Sequence, residues 1–246
     1  MEVHHHSSAA KKKWTHYFWE FLMLFLAVFC GFLAEFQLEH TIEKRREKQY
    51  VKSFAEDLAL DTVDLQERIR LCNRNIVSAD SLILLLSSQD KNKYANDIYF
   101  YTRYIHRSGT FTVNDRTIVQ LRNAGGMRLI TNKNVSDSML SYYKAVDFLK
   151  FLYEELIDMK RSLRPHFNKF LDGNDYAHII DSLNQIIRPT KTLNLRPADE
   201  ESINTFILIL QNIKGLNMGL KMRLSELKAK ATLIRDYINK EYHLGY

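Results

Sequence analysis

Helix-breaking residues are scarce in this sequence. Its 246 residues include only three prolines and eight glycines, whereas 46% of the residues are hydrophobic. Proline and glycine interrupt helices and supply the backbone geometry of tight turns, so a chain poor in both is typical of long helices joined by few turns. We therefore predict an all-α fold.

Residues that hold metals, close disulfides or catalyse reactions are also few. Cys30 lies in an apolar run and Cys72 stands alone, which excludes a disulfide framework. The glycines at Gly125 and Gly126 follow no strand and match no phosphate loop. The histidines after the apolar run are dispersed, and none has the spacing of a zinc-binding helix: His40, His106, His166, His178 and His243. We expect no catalytic residue, no cofactor, no metal and no evident small-molecule substrate, and hence no enzyme.

Nucleic-acid binding is not expected from the charge pattern. The net charge is +6, but the 35 basic and 29 acidic residues are interspersed, and no basic block alternates with aromatic residues. Such a block would be needed to stack bases and neutralise phosphates. A weakly basic surface facing anionic lipid headgroups explains the charge better.

The longest apolar stretch predicts a membrane span. Phe21 to Ala34 is an unbroken apolar run of 14 residues, or about 21 Å of helix, which is shorter than a hydrocarbon core of about 30 Å. Aromatic and apolar flanks extend it to residues 14–38, about 37 Å long. Phe29 and Phe32 stand where signal cleavage would need small residues, so we expect a retained signal anchor.

One face of this span combines carboxylates with small residues. Glu20 and Glu35 lie near its two edges, where each can reach the headgroups, become protonated, or meet a polar group of another membrane helix. Ala27 and Gly31 form a pair of small residues four positions apart, which lets membrane helices approach closely. We predict a helix-packing face that contacts a second copy or another membrane protein: Glu20, Leu24, Ala27, Gly31, Ala34 and Glu35.

The orientation of the span rests on two opposing arguments. Three lysines precede it and five basic residues follow it, and the positive-inside rule would then place the C-terminal side in the cytoplasm. The opposing argument is that the membrane is negative inside. Moving the lysine-rich tail outward across it costs roughly 2.3 kcal/mol per charge per 100 mV of membrane potential. We favour a cytoplasmic N-terminus and a periplasmic C-terminal domain in a bacterial inner membrane.

Two long heptad patterns organise the rest of the chain. Apolar residues average a spacing of 3.5 from Val51 to Leu86 and again from Ile203 to Ile238, the period of coiled-coil packing. We predict that the two helices pair antiparallel, with Asn217 fixing their register. The apolar face of each helix is its seam, and the seam of the first helix could also pack against another copy of the chain. The predicted segments are a disordered basic tail (1–13), the membrane helix (14–38), a juxtamembrane and coiled-coil neck continuing that helix (39–90) and a helical bundle (91–246).

The middle of the chain predicts shorter helices. An aromatic helix begins at Tyr94 after a polar turn, and a helix over 116–124 is capped by Asn114 or Asp115. A long helix starting at Asn134 or Ser136 should kink or end at Pro165, and Gly173 to Arg188 predicts a short helix. The aromatic side chains could be core or could line a pocket, and the candidate pocket residues are Tyr94, Tyr99, Tyr101, Tyr104 and Phe111.

Two blocks of sequence carry a resemblance to a known family. The anchor from Tyr17 to Phe32 with its exit from Gln37 to His40, and the block from Leu121 to Ile130 with Tyr142 and Tyr143, resemble a family of unknown function. Its members are single-span inner-membrane proteins of Bacteroidetes-type bacteria. The resemblance implies an inner-membrane anchor and a helical extracytoplasmic domain, and it carries over no catalytic residue.

These expectations favour a membrane-anchored helical scaffold or accessory subunit that acts through helix–helix contacts. Its expected partners are the lipid bilayer and a second copy or another membrane protein. The alternative is an extracytoplasmic, sensor-like module that binds a ligand in the aromatic pocket.

Overall fold

The computed structural model describes residues 14–107, 109–123 and 125–245. The predicted disordered tail, residues 1–13, lies outside them. The protein is 81% helical and has no strand within the described residues, where Ile180 and Ile186 form an isolated antiparallel bridge. The predicted all-α fold is confirmed.

The α-helices of the described residues are α1 (Trp14–Leu86), α2 (Ala95–His106), α3 (Arg116–Asn123), α4 (Lys133–Ser162), α5 (Arg164–Phe170), α6 (Gly173–Tyr176) and α7 (Glu200–Glu241). Short 3-10 turns lie at Asn92–Tyr94, Gly126–Leu129 and Ala177–Ile179. The predicted continuation of the apolar helix into the neck is confirmed, because α1 runs without a break for 73 residues. Ala124, the predicted last residue of the third helix, lies outside the described residues.

The chain divides into two compact units, residues 1–49 and 50–246. In the first unit, the described residues form the N-terminal half of α1, and nearly all of their side chains are exposed. The second unit is a helical bundle that includes the rest of α1. Its boundary falls inside the segment assigned to the neck, because the buried heptad positions begin at Val51.

Helices α1 and α7 of the second unit pair antiparallel, as predicted. Three lysines of α7 reach polar side chains of α1, with 2.6 Å between Lys228 Nζ and Gln66 Oε1. The next two pairs are Lys221 with Asn73 at 2.9 Å and Lys214 with Asp80 at 2.6 Å. From one pair to the next, the residue number falls by seven in α7 and rises by seven in α1. The register of the two helices is therefore constant over about four helical turns.

The two seams differ in how closely they follow the prediction. On α7 the heptad positions from Phe206 to Ile238 are all buried, including Asn217. On α1 the predicted heptad also included Thr62, Ile69, Ile76 and Ile83, which are only half-buried, whereas Asp61, Asn75 and Leu82 are buried instead. The buried face of α1 is therefore shifted, because it contacts α4 as well as α7, as the bond between Tyr142 and Asp61 shows.

The long fourth helix begins earlier than predicted and ends as predicted. Asn132 caps α4, its side chain accepting bonds from the amides of Asn134 and Val135 at 3.0 and 3.3 Å. The helix stops at Ser162, and Pro165 occupies the first turn of α5, where a missing N–H is tolerated.

The predicted helix from Gly173 to Arg188 is wrong beyond its first turn. The side chain of Asp181 accepts bonds from the amides of Leu183 and Gln185 at 2.9 and 2.7 Å. These bonds fold the chain into a turn in which Asn184 has a positive φ of 58°. Local side-chain bonding to the backbone competes with helix formation at aspartate and asparagine, so the helix is not continued.

Candidate functional site

The first unit presents the predicted membrane helix as an exposed apolar surface. Its most apolar 18-residue window has a mean hydropathy of 2.1, and none of that window is buried. On length and composition the helix qualifies as a candidate membrane span near the N-terminus. A soluble helix that exposed this much apolar surface to water would be strongly disfavoured.

The predicted packing face lies entirely on that exposed surface. Glu20, Leu24, Ala27, Gly31, Ala34 and Glu35 are all exposed. A Cβ added at Gly31 would meet no atom within 4 Å. The fold of this helix therefore does not require a glycine at position 31, and the small size of the residue has no structural role within the described chain.

Glu20 points toward the N-terminal end of the span. Its Oε1 lies 3.2 Å from Nε2 of His16, one helical turn earlier. Side chains of an α-helix tilt toward its N-terminus, so a carboxylate near that end can reach the headgroup region. This geometry agrees with the first of the alternatives for Glu20, whereas the same tilt would direct Glu35, near the opposite edge, away from the headgroups closest to it.

The five candidate pocket residues differ in burial. Tyr99 and Phe111 are buried in the core, whereas Tyr94, Tyr101 and Tyr104 are half-buried. The hydroxyl of Tyr99 accepts a bond from the Asp172 amide at 2.6 Å and donates to the Asn194 carbonyl at 3.1 Å. Burial raises the pKa of Tyr99, so this tyrosine links α2 to the loops around α6 as a neutral group.

Tyr101 and Tyr104 belong to a surface cluster around Phe100. Their rings lie 5.3 and 4.9 Å from the Phe100 ring, edge to face. Arg188 covers Phe100 at 4.4 Å from the ring centre and forms an ion pair with Asp97. Arg188 therefore holds the segment before Pro189 against α2. Its guanidinium group covers the face of Phe100, the central ring of the cluster.

The second unit buries two carboxylates that the sequence patterns did not single out, Asp57 and Asp61. Asp57 of α1 accepts bonds from the Thr117 amide at 3.2 Å and from the Thr117 hydroxyl. It also pairs with Arg116 at 3.0 Å. Because Thr117 lies in the first turn of α3, a side chain of another helix caps α3, whereas the sequence pattern predicted a local cap from Asn114 or Asp115.

Asp61 lies one turn further along α1 and is saturated with donors. It accepts bonds from the backbone and side-chain amides of Asn114 at 2.8 and 2.7 Å and from the Tyr142 hydroxyl at 2.7 Å. Burial raises the pKa of Asp61, while the bonds from Tyr142 and Asn114 act in the opposite direction. The only sequence signal for this pair is two aspartates, four residues apart, adjacent to heptad positions.

A second group of linked polar residues contains a buried lysine, Lys160. Nζ of Lys160 in α4 donates to the Arg107 carbonyl, just beyond the C-terminal end of α2, at 2.8 Å. One end of the Asn75 amide lies 3.1 Å from this nitrogen and 3.3 Å from Oδ1 of Asn217. The network thus joins α1, α4, α7 and the end of α2, and it includes Asn217, which we predicted to fix the register.

Burial shifts the pKa values of the titratable groups around this network. The pKa of Lys160 falls to about 8, whereas that of the buried Cys72 thiol rises to about 11 despite the nearby Lys160 charge. Both shifts favour the neutral form, as expected where water cannot solvate a charge. Neither group faces a described arrangement of base and substrate cavity that would make it a nucleophile.

The described part of the chain contains no group of three or more His, Cys, Asp or Glu side chains placed to hold a metal ion. The structure defines an all-α bundle carrying one exposed apolar N-terminal helix. Comparison with protein-family models, curated proteins and solved structures finds no match to this chain.

Proposed function

We propose that the protein is a membrane-anchored helical scaffold or accessory subunit of a bacterial inner-membrane assembly, acting through helix–helix contacts. The observation that carries the proposal is the exposed stripe of small residues on an apolar helix, where Gly31 has free space around it. Small residues let membrane helices approach closely. A glycine that the chain's own packing does not need fits a contact with another helix.

The proposed location and orientation follow from the sequence. The anchor holds the chain in the inner membrane, with the N-terminus in the cytoplasm and the bundle in the periplasm. The resemblance of the anchor and of the block from Leu121 to Ile130 to single-span inner-membrane proteins supports this arrangement. The proposed partner is a second copy or another membrane protein.

A substitution in the stripe tests the proposal. Gly31→Leu would place a branched side chain in the proposed contact, whereas Leu33→Val changes a neighbouring exposed apolar residue by one methylene and serves as the control. We expect Gly31→Leu to reduce the size and partner content of the particle extracted in a gentle detergent, with the helicity of the bundle unchanged. An identical particle for both variants and the wild type would contradict the proposal.

The sensor-like alternative receives no support from the aromatic helix itself, since Tyr99 and Phe111 are core residues. A neighbouring cavity of the second unit supports a ligand site of a different kind.

A further inference from the structure

A cavity on the second unit combines cationic and aromatic side chains. It has a volume of about 300 Å³ and lies between α5, α6 and the segment that precedes α7. Its lining residues include two aromatic residues, Phe167 and Tyr176, and two arginines, Arg164 and Arg196. Its volume is at the lower end of the range for small-molecule sites, about 300–1,000 Å³.

The two arginines at this cavity are not committed to ion pairs. Within the described residues, no carboxylate lies in salt-bridge range of Arg164 or Arg196, in contrast to Arg161, whose Nη1 lies 2.6 Å from Asp158. Both side chains are exposed at the cavity's edge. Guanidinium groups bind carboxylates through charge-assisted, often bidentate hydrogen bonds, so two of them beside one cavity favour an anionic ligand.

The surroundings add further positive charge. The guanidinium of Arg103 lies 5.2 Å from the Tyr176 ring centre. His106, which packs edge to face against Phe167 at 5.6 Å, has its pKa lowered by burial and then by Arg164, Lys160 and Arg103. The cations thus act on the same region from α2, α4 and α5.

The acidic residues nearby are already engaged. Asp172, which also lines the cavity, accepts bonds from the amides of Asn174 and Asp175 at 2.8 and 3.3 Å. Asp175 lies 3.5 Å from Lys191 and accepts a bond from the Asn194 amide. These carboxylates reduce the positive potential at the cavity. They are bound by backbone amides and by Lys191, and neither is within ion-pair distance of Arg164 or Arg196.

We propose that this cavity binds a small aromatic carboxylate, with the ring against Phe167 and Tyr176 and the carboxylate between Arg164 and Arg196. The aromatic walls offer ring stacking, and the guanidinium groups supply the charge-assisted bonds. This site is independent of the membrane-scaffold proposal, because it lies in the bundle and uses no residue of the anchor.

The test uses benzoate as the probe and the full-length chain in lipid nanodiscs. Calorimetric or NMR titration at neutral pH should show saturable binding of benzoate and at least about tenfold weaker binding of benzamide, which keeps the ring but lacks the charge. Arg164→Gln and Arg196→Gln should each weaken benzoate binding about tenfold. Arg161→Gln, the matched control, should leave it unchanged.

The variant side chains are exposed, so the helicity and the thermal midpoint should match the wild type and show that loss of binding is not loss of fold. Equal affinities for benzoate and benzamide would overturn the proposal, since the arginines would then have no role. Absence of saturable benzoate binding, or an equal effect of Arg161→Gln, would also overturn it. None of these results bears on the size of the detergent-extracted particle, so the two proposals fail separately.

Discussion

Asp61 illustrates how a single polar residue can organise a helical core. A buried carboxylate is costly unless its oxygens are saturated by donors, and Asp61 meets this condition with three bonds from Asn114 and Tyr142. Those bonds hold the loop before α3 and the side of α4 against α1. Asp57, one turn earlier, binds the first turn of α3 itself.

We expect Asp61→Ala to lower the free energy of unfolding by about 3 kcal/mol, because it leaves buried donors of Asn114 and Tyr142 without an acceptor. Tyr142→Phe, which removes a single bond, should cost about 1 kcal/mol. Urea unfolding in a mild detergent, followed by near-ultraviolet circular dichroism, measures both changes. Both tryptophans lie in the anchor, so tryptophan fluorescence would not report on the bundle.

The control for Asp61 is an aspartate with an exposed partner. Asp158 pairs with Arg161 three residues along the surface of α4, and exposed pairs of this kind contribute less than about 1 kcal/mol. Asp158→Ala should therefore have a small effect. If it destabilised the bundle as much as Asp61→Ala does, the buried network would not have the role described.

The lowered pKa of the buried Lys160 leads us to predict that the free energy of unfolding depends on pH. Its pKa falls from 10.5 to about 8 on folding, so between these values the unfolded chain binds more protons than the native chain. Stability linked to Lys160 therefore rises with pH across that window, by up to about 3 kcal/mol. The thiol of Cys72, with a pKa raised to about 11, acts in the opposite direction above pH 9.

A comparison with Lys160→Met isolates the lysine, because Cys72 is present in both chains. The unfolding free energy of the wild type minus that of the variant should increase between pH 8 and pH 10.5. A constant difference would show that Lys160 is charged to the same extent in both states, and a falling difference would show that folding raises its pKa; either result would contradict the prediction. The measurement is urea unfolding at a series of pH values in this range.

At the scale of elements, the helices were predictable where their pattern is mainly apolar. The heptad of α7 includes a buried residue at each position from Phe206 to Ile238, and the exposed apolar run of α1 was visible in the sequence. The apolar face of α1 was assigned one residue away at three positions, where Asp61, Asn75 and Leu82 are buried, and two of these residues are polar. An apolar period cannot reveal a polar residue that is buried only because partners on other helices satisfy it.

The helix boundary at α6 and the new cavity both depend on contacts that sequence spacing does not show. The helix predicted to Arg188 ends early because Asp181 binds backbone amides of its own turn. The aromatic residues of α2 were grouped by sequence spacing, but Tyr99 turns into the core and Tyr101 turns to the surface. Arg164 and Arg196, which line the cavity beside α5 and α6, are more than thirty residues apart in the sequence. No local sequence pattern connects them.

Two glycines provide a matched test of backbone conformation. Gly125, after α3, has a φ of 61°, whereas Gly219 lies inside α7, and an added Cβ would meet no atom within 4 Å at either position. Gly125→Ala should destabilise the bundle by about 1 kcal/mol, because alanine is strained in the left-handed region.

Gly219→Ala should raise stability by roughly 0.5–1 kcal/mol, because alanine favours a helix interior. Thermal and urea unfolding of the two variants measure the difference. Shifts of the same sign would show that backbone conformation is not what distinguishes the two sites.

At the scale of the whole molecule, the two units face different solvents in our proposal. The first exposes apolar side chains along its helix, and the second has a buried apolar core and carries interspersed charges. The one helix that contributes to both, α1, changes character near residue 50 from an exposed apolar and charged stretch to a buried heptad. The charge count around the anchor leaves two orientations to distinguish by experiment.

A single accessible cysteine can distinguish them. Leu183 is 77% exposed, so Leu183→Cys in a Cys30→Ser background places a reactive thiol on the bundle surface. Cys72 is buried and its pKa is raised to about 11, so it should contribute little labelling at neutral pH. We expect a membrane-impermeant maleimide to label this variant in intact spheroplasts, because our proposal places the bundle in the periplasm.

The Cys30→Ser chain without the new cysteine gives the background from Cys72, and lysed membranes give the maximum labelling of Leu183→Cys. Labelling that appears only after lysis would place the bundle in the cytoplasm. In that case the five basic residues after the span would have set the topology, as the positive-inside rule predicts for residues close to a membrane helix. The aromatic-carboxylate site would then be open to cytoplasmic ligands, with its geometry unchanged.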